Sequence, residues 1–252
     1  MDGISWVIIC KDLSASYNGR PLAPTTSFSV HARAALQSTG PETYAVWRKV
    51  LASSSMTRLN GQSLKKVGVA RHPTAKEQSA SDSPRLIVAS KQMAPVSPPQ
   101  NVTLATVVKA AWALTQKHLL PDESPQDIVF GQVVSGRLLG IPHENRIVGP
   151  CLSIIPVRVR MSGTQTKWDL LDQVQQQHRD TMGCWNIGLD EIVRNCTSWP
   201  VGTPFGSFVR FQNFETRPLC QLGETFCQMD QIKIRINHQK RQMSVWFPPP
   251  LH

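Results

Sequence analysis

Apolar residues recur every three or four positions in several parts of the chain, and this spacing predicts amphipathic helices. The pattern is most regular over residues 103–118, where one face carries Leu104, Val107, Val108, Ala111, Leu114 and His118. Thr166 and Asp169 form a capping-box pattern that begins a second helix, with Trp168, Leu171, Val174 and His178 in line. Further helices are predicted at residues 4–17, 42–53 and 189–196.

Short segments with apolar residues on one or both faces predict strands between these helices. They lie at residues 66–71, 85–89, 127–134, 151–160 and 205–211. In the fourth, Pro156 indicates a bulge or a sheet edge, because proline lacks a backbone N–H. Alternation of Val157 and Val159 with Arg158 and Arg160 predicts one buried and one solvated face. Helices alternating with strands, without an internal repeat, predict a layered α/β or α+β domain.

One stretch of the chain shows little periodicity of either kind. Residues 20–40 are rich in Pro, Ser, Thr and Ala, and we interpret them as a linker. Composition otherwise changes the picture little, because 40% hydrophobic and 17% charged residues are typical of a globular protein.

The net charge of +10 raises the question of nucleic-acid binding. Its basic residues are spread along the chain, and the densest runs are only Lys65-Lys66 and Lys240-Arg241. A nucleic-acid module usually concentrates positive charge on one face and interleaves it with aromatic residues. The charge therefore favours a solvated basic surface that would attract an acidic protein partner. No nucleic-acid partner is predicted.

The cysteines and the apolar runs bear on the cellular location. Six cysteines lack C-x-x-C spacing, so we expect reduced thiols and no metal site. The apolar run at residues 4–10 is too short to cross a bilayer and lacks a basic leader. The sequence therefore predicts a cytoplasmic protein without a membrane partner.

Three segments carry candidate chemistry. The chain opens with Asp2-Gly3 directly before a helix, where an acidic residue would simply face the positive helix end. Residues 129–137 read VFGQVVSGR and contain Gly131, Ser135 and Arg137. Residues 147–160 read IVGPCLSIIPVRVR and contain Gly149, Pro150 and Ser153. In this order, the three segments resemble the condensation domains of nonribosomal peptide synthetases, most closely those of fungi.

The resemblance implies a chloramphenicol acetyltransferase-like lobe, in which helices cover a mixed sheet. It also implies that Asp2 and Gly3 end a His-His-x-x-x-Asp-Gly motif, so that the chain is truncated and the histidines precede Met1. Residues 1–40 would then be the tail of the first lobe plus the interlobe linker, and residues 41–226 the second lobe. Residues 227–252 would form a divergent tail without the strands expected to complete that lobe.

The activity implied is amide-bond formation in the biosynthesis of secondary-metabolite peptides. An aminoacyl amine attacks an acyl thioester on a carrier protein, with a motif histidine as base. None of the seven histidines in the chain stands at the required position, so the fragment alone is expected to be inactive. The alternatives are an inactive remnant or carrier-docking module, and a free-standing acyltransferase that uses coenzyme A and needs the same base.

The resemblance also assigns site residues and partners. Asp2 would pair with an arginine from the first lobe, and the substrate tunnel would include Gly131, Ser135, Arg137, Gly149, Pro150 and Ser153. Ser153 stands where related domains usually carry asparagine. No cofactor would bind directly, because the substrates arrive on the phosphopantetheine arms of carrier proteins. The expected partners are the carrier and adenylation domains of the same synthetase.

Overall fold

Helices and strands follow one another in groups along the described parts of the chain. The computed structural model describes residues 1–59, 97–121, 127–212 and 219–228, and the backbone of residues 243–247. The helices are α1 (Gly3–Tyr17), α2 (Phe28–Gln37), α3 (Pro41–Leu51), α4 (Leu104–Leu119), α5 (Lys167–Thr181) and α6 (Leu189–Cys196). The strands are β1 (Asp127–Ser135), β2 (Leu152–Arg160), β3 (Ser207–Phe211), β4 (Leu219–Leu222), β5 (Thr225–Gln228) and β6 (Met243–Phe247). The strands predicted at residues 66–71 and 85–89 lie outside the described residues.

The main sheet has the order β2-β1-β3-β6 and is mixed. β1 pairs antiparallel with β2 along its whole length, whereas β1–β3 and β3–β6 are parallel pairs. Among the described strands β2 lies at one end of the order, as Pro156 predicted, since an edge strand tolerates a missing donor. β4 and β5 form a separate hairpin.

Helices α4 and α5 cover one face of this sheet, as predicted. Their buried side chains form one cluster with the strand residues Ile128, Phe130, Val157, Val159 and Val209. On the opposite face, Trp47 and Leu51 of α3 pack with Ile192 of α6 and with Val129 of β1. A mixed sheet between helices confirms the predicted α/β fold class.

The buried faces of α4 and α5 differ from the predicted ones. Leu114 is 48% exposed and Trp168 is 63% exposed, and His118 is also exposed. Polar side chains take their place because they bond each other across the interface. Thr106 Oγ1 donates to Gln175 Oε1 at 2.6 Å. The apolar pattern therefore located both helices but misplaced the side that packs.

Other sequence expectations have mixed outcomes. The Thr166–Asp169 capping box is confirmed. The predicted solvated face of β2 is wrong at Arg158, which is buried because it bonds Asp127 and donates to the carbonyl oxygens of Val50 and Ala52.

Two segments predicted to lack regular structure contain it. Residues 28–37 form helix α2 instead of continuing a linker, because the side chain of Ser27 accepts from the backbone of Ser29 and caps the helix. Beyond residue 226, the structure places β6 beside β3 as a parallel strand, which the sequence analysis missed. Parallel pairing at a distance leaves no local turn signal in the sequence.

Candidate functional site

Asp2 is the hub of a buried polar junction between the start of α1 and the loops around β1 and β2. Its Oδ1 accepts from the backbone N–H of Ser5 at 2.9 Å and caps α1. Its Oδ2 accepts from the backbone N–H of Cys151 at 3.1 Å. Asp2 thereby joins the first helix to the loop that precedes β2.

Arg137 forms a two-pronged ion pair with the same carboxylate. Its Nη1 lies 2.5 Å from Oδ2 and its Nη2 lies 3.1 Å from Oδ1 of Asp2. The two side chains are only 3% and 5% exposed. The expectation that the arginine partner of Asp2 comes from the first lobe is therefore wrong. The partner is supplied by the loop after β1, because the antiparallel β1–β2 pair brings the loops at this edge to the start of α1.

The protonation of Asp2 follows from this surrounding. Burial by itself would raise the pKa of the Asp2 carboxyl, but hydrogen bonds from Arg137 and Ser5 outweigh it and lower the pKa below its usual range. Asp2 is therefore a carboxylate at neutral pH, and it acts as a structural anchor.

Ser5 and Gly149 add a second connection at the same junction. The hydroxyl of Ser5 donates to the carbonyl oxygen of Gly149 at 3.0 Å and accepts from its N–H at 3.0 Å. A Cβ atom at Gly149 would lie 2.7 Å from Cγ of Phe28, so the ring of Phe28 requires glycine there. The predicted site residues Asp2, Arg137 and Gly149 are thus brought together.

The loop after β1 connects this junction to α2. Ser135 is exposed, and its Oγ accepts from the backbone N–H of Arg137 at 3.3 Å, so it supports the turn. His31 of α2 is 5% exposed, and its Nε2 lies 3.1 Å from the carbonyl oxygen of Gly136. The turn after β1 therefore contacts Asp2 through Arg137 and His31 through Gly136.

Beside this loop lies an open groove with a volume of about 560 Å³. Its walls come from one face of α2, from the start of β2, and from the segments before α6 and β3. The lining residues include Phe28, His31, Ala32, Ala35, Pro150, Leu152, Ser153, Ile154, Asn186, Ile187, Leu189 and Phe205. Two of the predicted tunnel residues, Pro150 and Ser153, line it directly.

Gly131 lies beneath the groove without lining it. A Cβ atom there would stand 3.0 Å from Phe205 Cγ and 3.0 Å from Phe208 Cβ. The glycine therefore allows Phe205 to pack over β1 and form part of the groove wall. The remaining predicted residues, Ser135 and Arg137, hold the adjoining loop without lining the groove.

Sequence reasoning missed the contribution of α2. Phe28 and His31 were read as part of a linker, although Ser27 directly before them is a favourable cap. Asn186 was also missed, because nothing in its local sequence marks it. Only the fold brings residue 186 beside residues 31 and 153.

Two kinds of site find no support among the described residues. No group of three or more His, Cys, Asp and Glu side chains in this part of the chain is arranged to hold a metal ion. Nor does any helix in the described ranges reach the length and apolar character needed to cross a membrane.

The order of these motifs matches a known family along nearly the whole chain. The family model described as "Condensation domain" matches residues 1–245. The chain belongs to the condensation domain family.

Curated relatives of the chain are fungal nonribosomal peptide synthetases. The synthetase chyA of Penicillium rubens is 51% identical over 235 residues, which cover 90% of this chain and 10% of that protein. Nonribosomal peptide synthetase 6 of Aspergillus fumigatus is 38% identical over 214 residues, covering 84% of the chain and 15% of that protein. The chain therefore spans a small part of the curated relatives that it matches.

Solved structures share its fold. The crystal structure of holo T3CT matches with a TM-score of 0.74 and 26% identity, over 90% of this chain and 49% of that one. A mutant of the starter condensation domain of the rhizomide synthetase RzmA, solved in complex with C8-CoA, matches with a TM-score of 0.62 and 18% identity, over 100% of this chain and 56% of that one. The chain thus spans about half the length of these solved chains, and the predicted fold of a condensation-domain lobe is confirmed.

Proposed function

We propose that the chain is the part of a fungal condensation domain that begins inside the His-His-x-x-x-Asp-Gly motif. In the complete domain it would serve amide-bond formation, in which an aminoacyl amine attacks an acyl thioester held by a carrier protein. The observation that carries this proposal is the buried ion pair of Asp2 with Arg137, which joins the start of α1 to the loop that borders the groove. The family match and the synthetase relatives support it.

The chemistry requires a base that the chain does not supply at the motif. In this proposal the His-His pair belongs to sequence that precedes residue 1, and the residues around Asp2 provide its support. Residues 1–40 are then the tail of the first lobe plus the interlobe connection, residues 41–226 the second lobe, and residues 227–252 a divergent tail that contains β6. A positioned general base contributes about 10²–10⁴ in rate, so the chain alone should be inactive.

The groove is the proposed path of the substrate. Pro150 and Ser153 would contact the acyl or aminoacyl chain directly, whereas Gly131 and Gly149 would allow the aromatic walls to close around it. Ser135 and Arg137 would hold the loop between them. No cofactor would bind by itself, because the phosphopantetheine arm of a carrier protein brings each substrate.

The partners follow from this chemistry. Carrier and adenylation domains of the same synthetase would deliver the substrates in the cytoplasm, and the net charge of +10 would attract an acidic carrier protein. Titrating a labelled carrier protein at low and high ionic strength tests the attraction. Binding should weaken as the Debye length falls below about 8 Å. Equal affinity at both salt concentrations would contradict it.

A condensation assay tests the proposed activity. Donor and acceptor carriers loaded with their substrates are incubated with this chain, and in parallel with a version extended upstream through the first lobe. The extended protein should form dipeptide, while the chain as written should not exceed the uncatalysed background. An extended protein that binds loaded carriers without forming dipeptide would instead indicate a carrier-docking module.

A further inference from the structure

Three polar side chains stand among the apolar walls of the groove. They are His31 from α2, Ser153 from β2 and Asn186 from the segment before α6. Small-molecule sites typically combine mostly apolar walls with a few placed polar groups, and the walls of this groove have the same composition. Ser153 and Asn186 are half-buried, whereas His31 is 5% exposed and its polar atoms are therefore the most constrained.

The contact of His31 with Gly136 fixes which nitrogen carries the proton. A carbonyl oxygen only accepts hydrogen bonds, so Nε2 must donate across the 3.1 Å that separates it from the oxygen of Gly136. In a neutral imidazole the other nitrogen, Nδ1, then presents a lone pair and can only accept.

No described residue donates to that lone pair. Nδ1 of His31 is buried and has no hydrogen-bond partner in the described part of the chain. Buried polar atoms are nearly always paired, and an unpaired one in a native structure calls for an explanation. A donor that arrives with a ligand would provide one, since the ring forms part of the groove wall.

We propose that His31 is a positioning residue whose Nδ1 accepts a hydrogen bond from an amide N–H of the phosphopantetheine arm on a carrier protein. The inference rests on the proposed function and names the contact that holds the arm. The arm is a thin chain in which apolar stretches separate two amides, which matches a groove with apolar walls and few polar groups. Ser153 and Asn186 are placed to bond the remaining polar atoms of the arm.

The proposed contact requires only a local adjustment. Phe28 stacks on the imidazole with 5.8 Å between ring centroids and an interplanar angle of 16°. Nδ1 is buried in the absence of a ligand, so the arm must uncover it on entering, and changes of side-chain rotamer on binding are common. The bond from Nε2 to Gly136 would meanwhile keep the histidine in the required tautomer.

Two substitutions separate the positioning role from a structural one. His31→Gln places an amide N–H near the position of Nε2, so it keeps the bond to Gly136 and removes the acceptor at Nδ1. His31→Asn places an oxygen near the position of Nδ1, so it keeps the acceptor and loses the contact with Gly136. A purely structural histidine would tolerate the first change better than the second in every measurement.

The test uses the complete condensation domain and measures binding, so that it does not depend on turnover. The ligand is a carrier protein whose phosphopantetheine arm holds an aminoacyl group through a stable amide in place of the thioester. His31→Gln should raise the Kd about three- to tenfold while the melting temperature stays that of the wild type. His31→Asn should keep most of the affinity and melt at a lower temperature. An unchanged Kd in His31→Gln would overturn the proposal.

Changing the arm provides a second, independent test. Each amide of the arm is replaced in turn by an ester, which has no N–H. One of these esters should weaken binding to the wild type by the same factor as His31→Gln, and should add no further loss in that variant, because both changes remove one hydrogen bond. If the loss of affinity caused by each ester multiplied with the loss caused by His31→Gln, the two changes would act on different contacts and the proposal would be overturned. A wild-type domain that shows the His31 dependence but forms no dipeptide would contradict the proposed function alone.

Discussion

Replacing Arg137 by methionine would leave the carboxylate of Asp2 buried without its cationic partner. The two side chains are 3% and 5% exposed, so water cannot take the place of the guanidinium. Removing one partner of a buried ion pair typically costs about 3–5 kcal/mol. Asp2 would keep its bonds from Ser5 and Cys151, so we expect a loss near the lower end, about 3 kcal/mol.

Arg146→Met is the matched control for this substitution. Arg146 pairs with Asp12, but these side chains are 23% and 31% exposed. Ion pairs that are exposed to solvent contribute about 0–1 kcal/mol to the free energy of unfolding. The two variants remove the same functional group. They differ in the burial of the carboxylate that remains and in the bond from Arg137 Nη2 to the carbonyl oxygen of Ile147 at 3.0 Å, which only the first variant removes.

Urea denaturation followed by circular dichroism gives the free energy of unfolding of both variants and the wild type. Arg137→Met should lose at least about 2 kcal/mol more than Arg146→Met, because only the first leaves a buried carboxylate unpaired. The lowered pKa of Asp2 means that its contribution is present above the unfolded-state value, about 4, and is lost as the pH falls through the folded-state value. The difference between Arg137→Met and wild type should therefore narrow in acid. Equal losses in the two variants would refute the anchoring role of the pair.

Three further experiments test other parts of the structure. Burial lowers the pKa of Lys109 to about 8, so Lys109→Met should raise the free energy of unfolding at pH 7 by up to about 3 kcal/mol. This gain should shrink as the pH rises from 8 towards 10.5, because the folded protein then holds Lys109 uncharged. A loss of stability at pH 7 in thermal or urea unfolding would contradict the effect of burial. Gly206→Ala should lower the melting temperature, because its Cβ would overlap the carbonyl oxygen of Thr57. Gly163→Ala is the control and should change the melting temperature little, because the space around Gly163 is open. Similar shifts of the melting temperature in both variants would contradict this packing. Burial raises the pKa of the Cys10 thiol to about 11, so a thiol reagent followed by mass spectrometry should modify it only after unfolding, and rapid native labelling would show that α1 opens.

The sequence pattern predicted the existence of most elements and the layering of the domain. Helix periodicity found α4 and α5, and apolar runs found β1, β2 and β3, because burial on a sheet imposes these spacings directly. The Thr166–Asp169 cap was readable for the same reason, since all of its atoms lie within one turn. Local signals of this kind survive in a single sequence.

Contacts between distant segments were not predictable in the same way. Polar residues form part of the buried face of α4 because their partners stand on α5 and β3, which the spacing along α4 does not reveal. The partner of Asp2 is 135 residues away, and only the pairing of β1 with β2 brings Arg137 to it. The groove was half predicted, since Pro150 and Ser153 belong to a motif, whereas His31 and Asn186 reach it through the fold alone.

The groove beside the Asp2–Arg137 pair is the proposed path of the substrate-bearing arm. The most direct test is photo-crosslinking of the complete domain by a carrier protein whose phosphopantetheine arm carries a diazirine, with the labelled peptides read by mass spectrometry. The smaller pocket near Trp168 and Asp172, which lies apart from the motif, serves as the internal control. We predict labelling in residues 28–35, 150–154 and 186–189, and its loss on competition with unlabelled loaded carrier. Labelling confined to the pocket near Trp168, or spread evenly over the surface, would contradict this path.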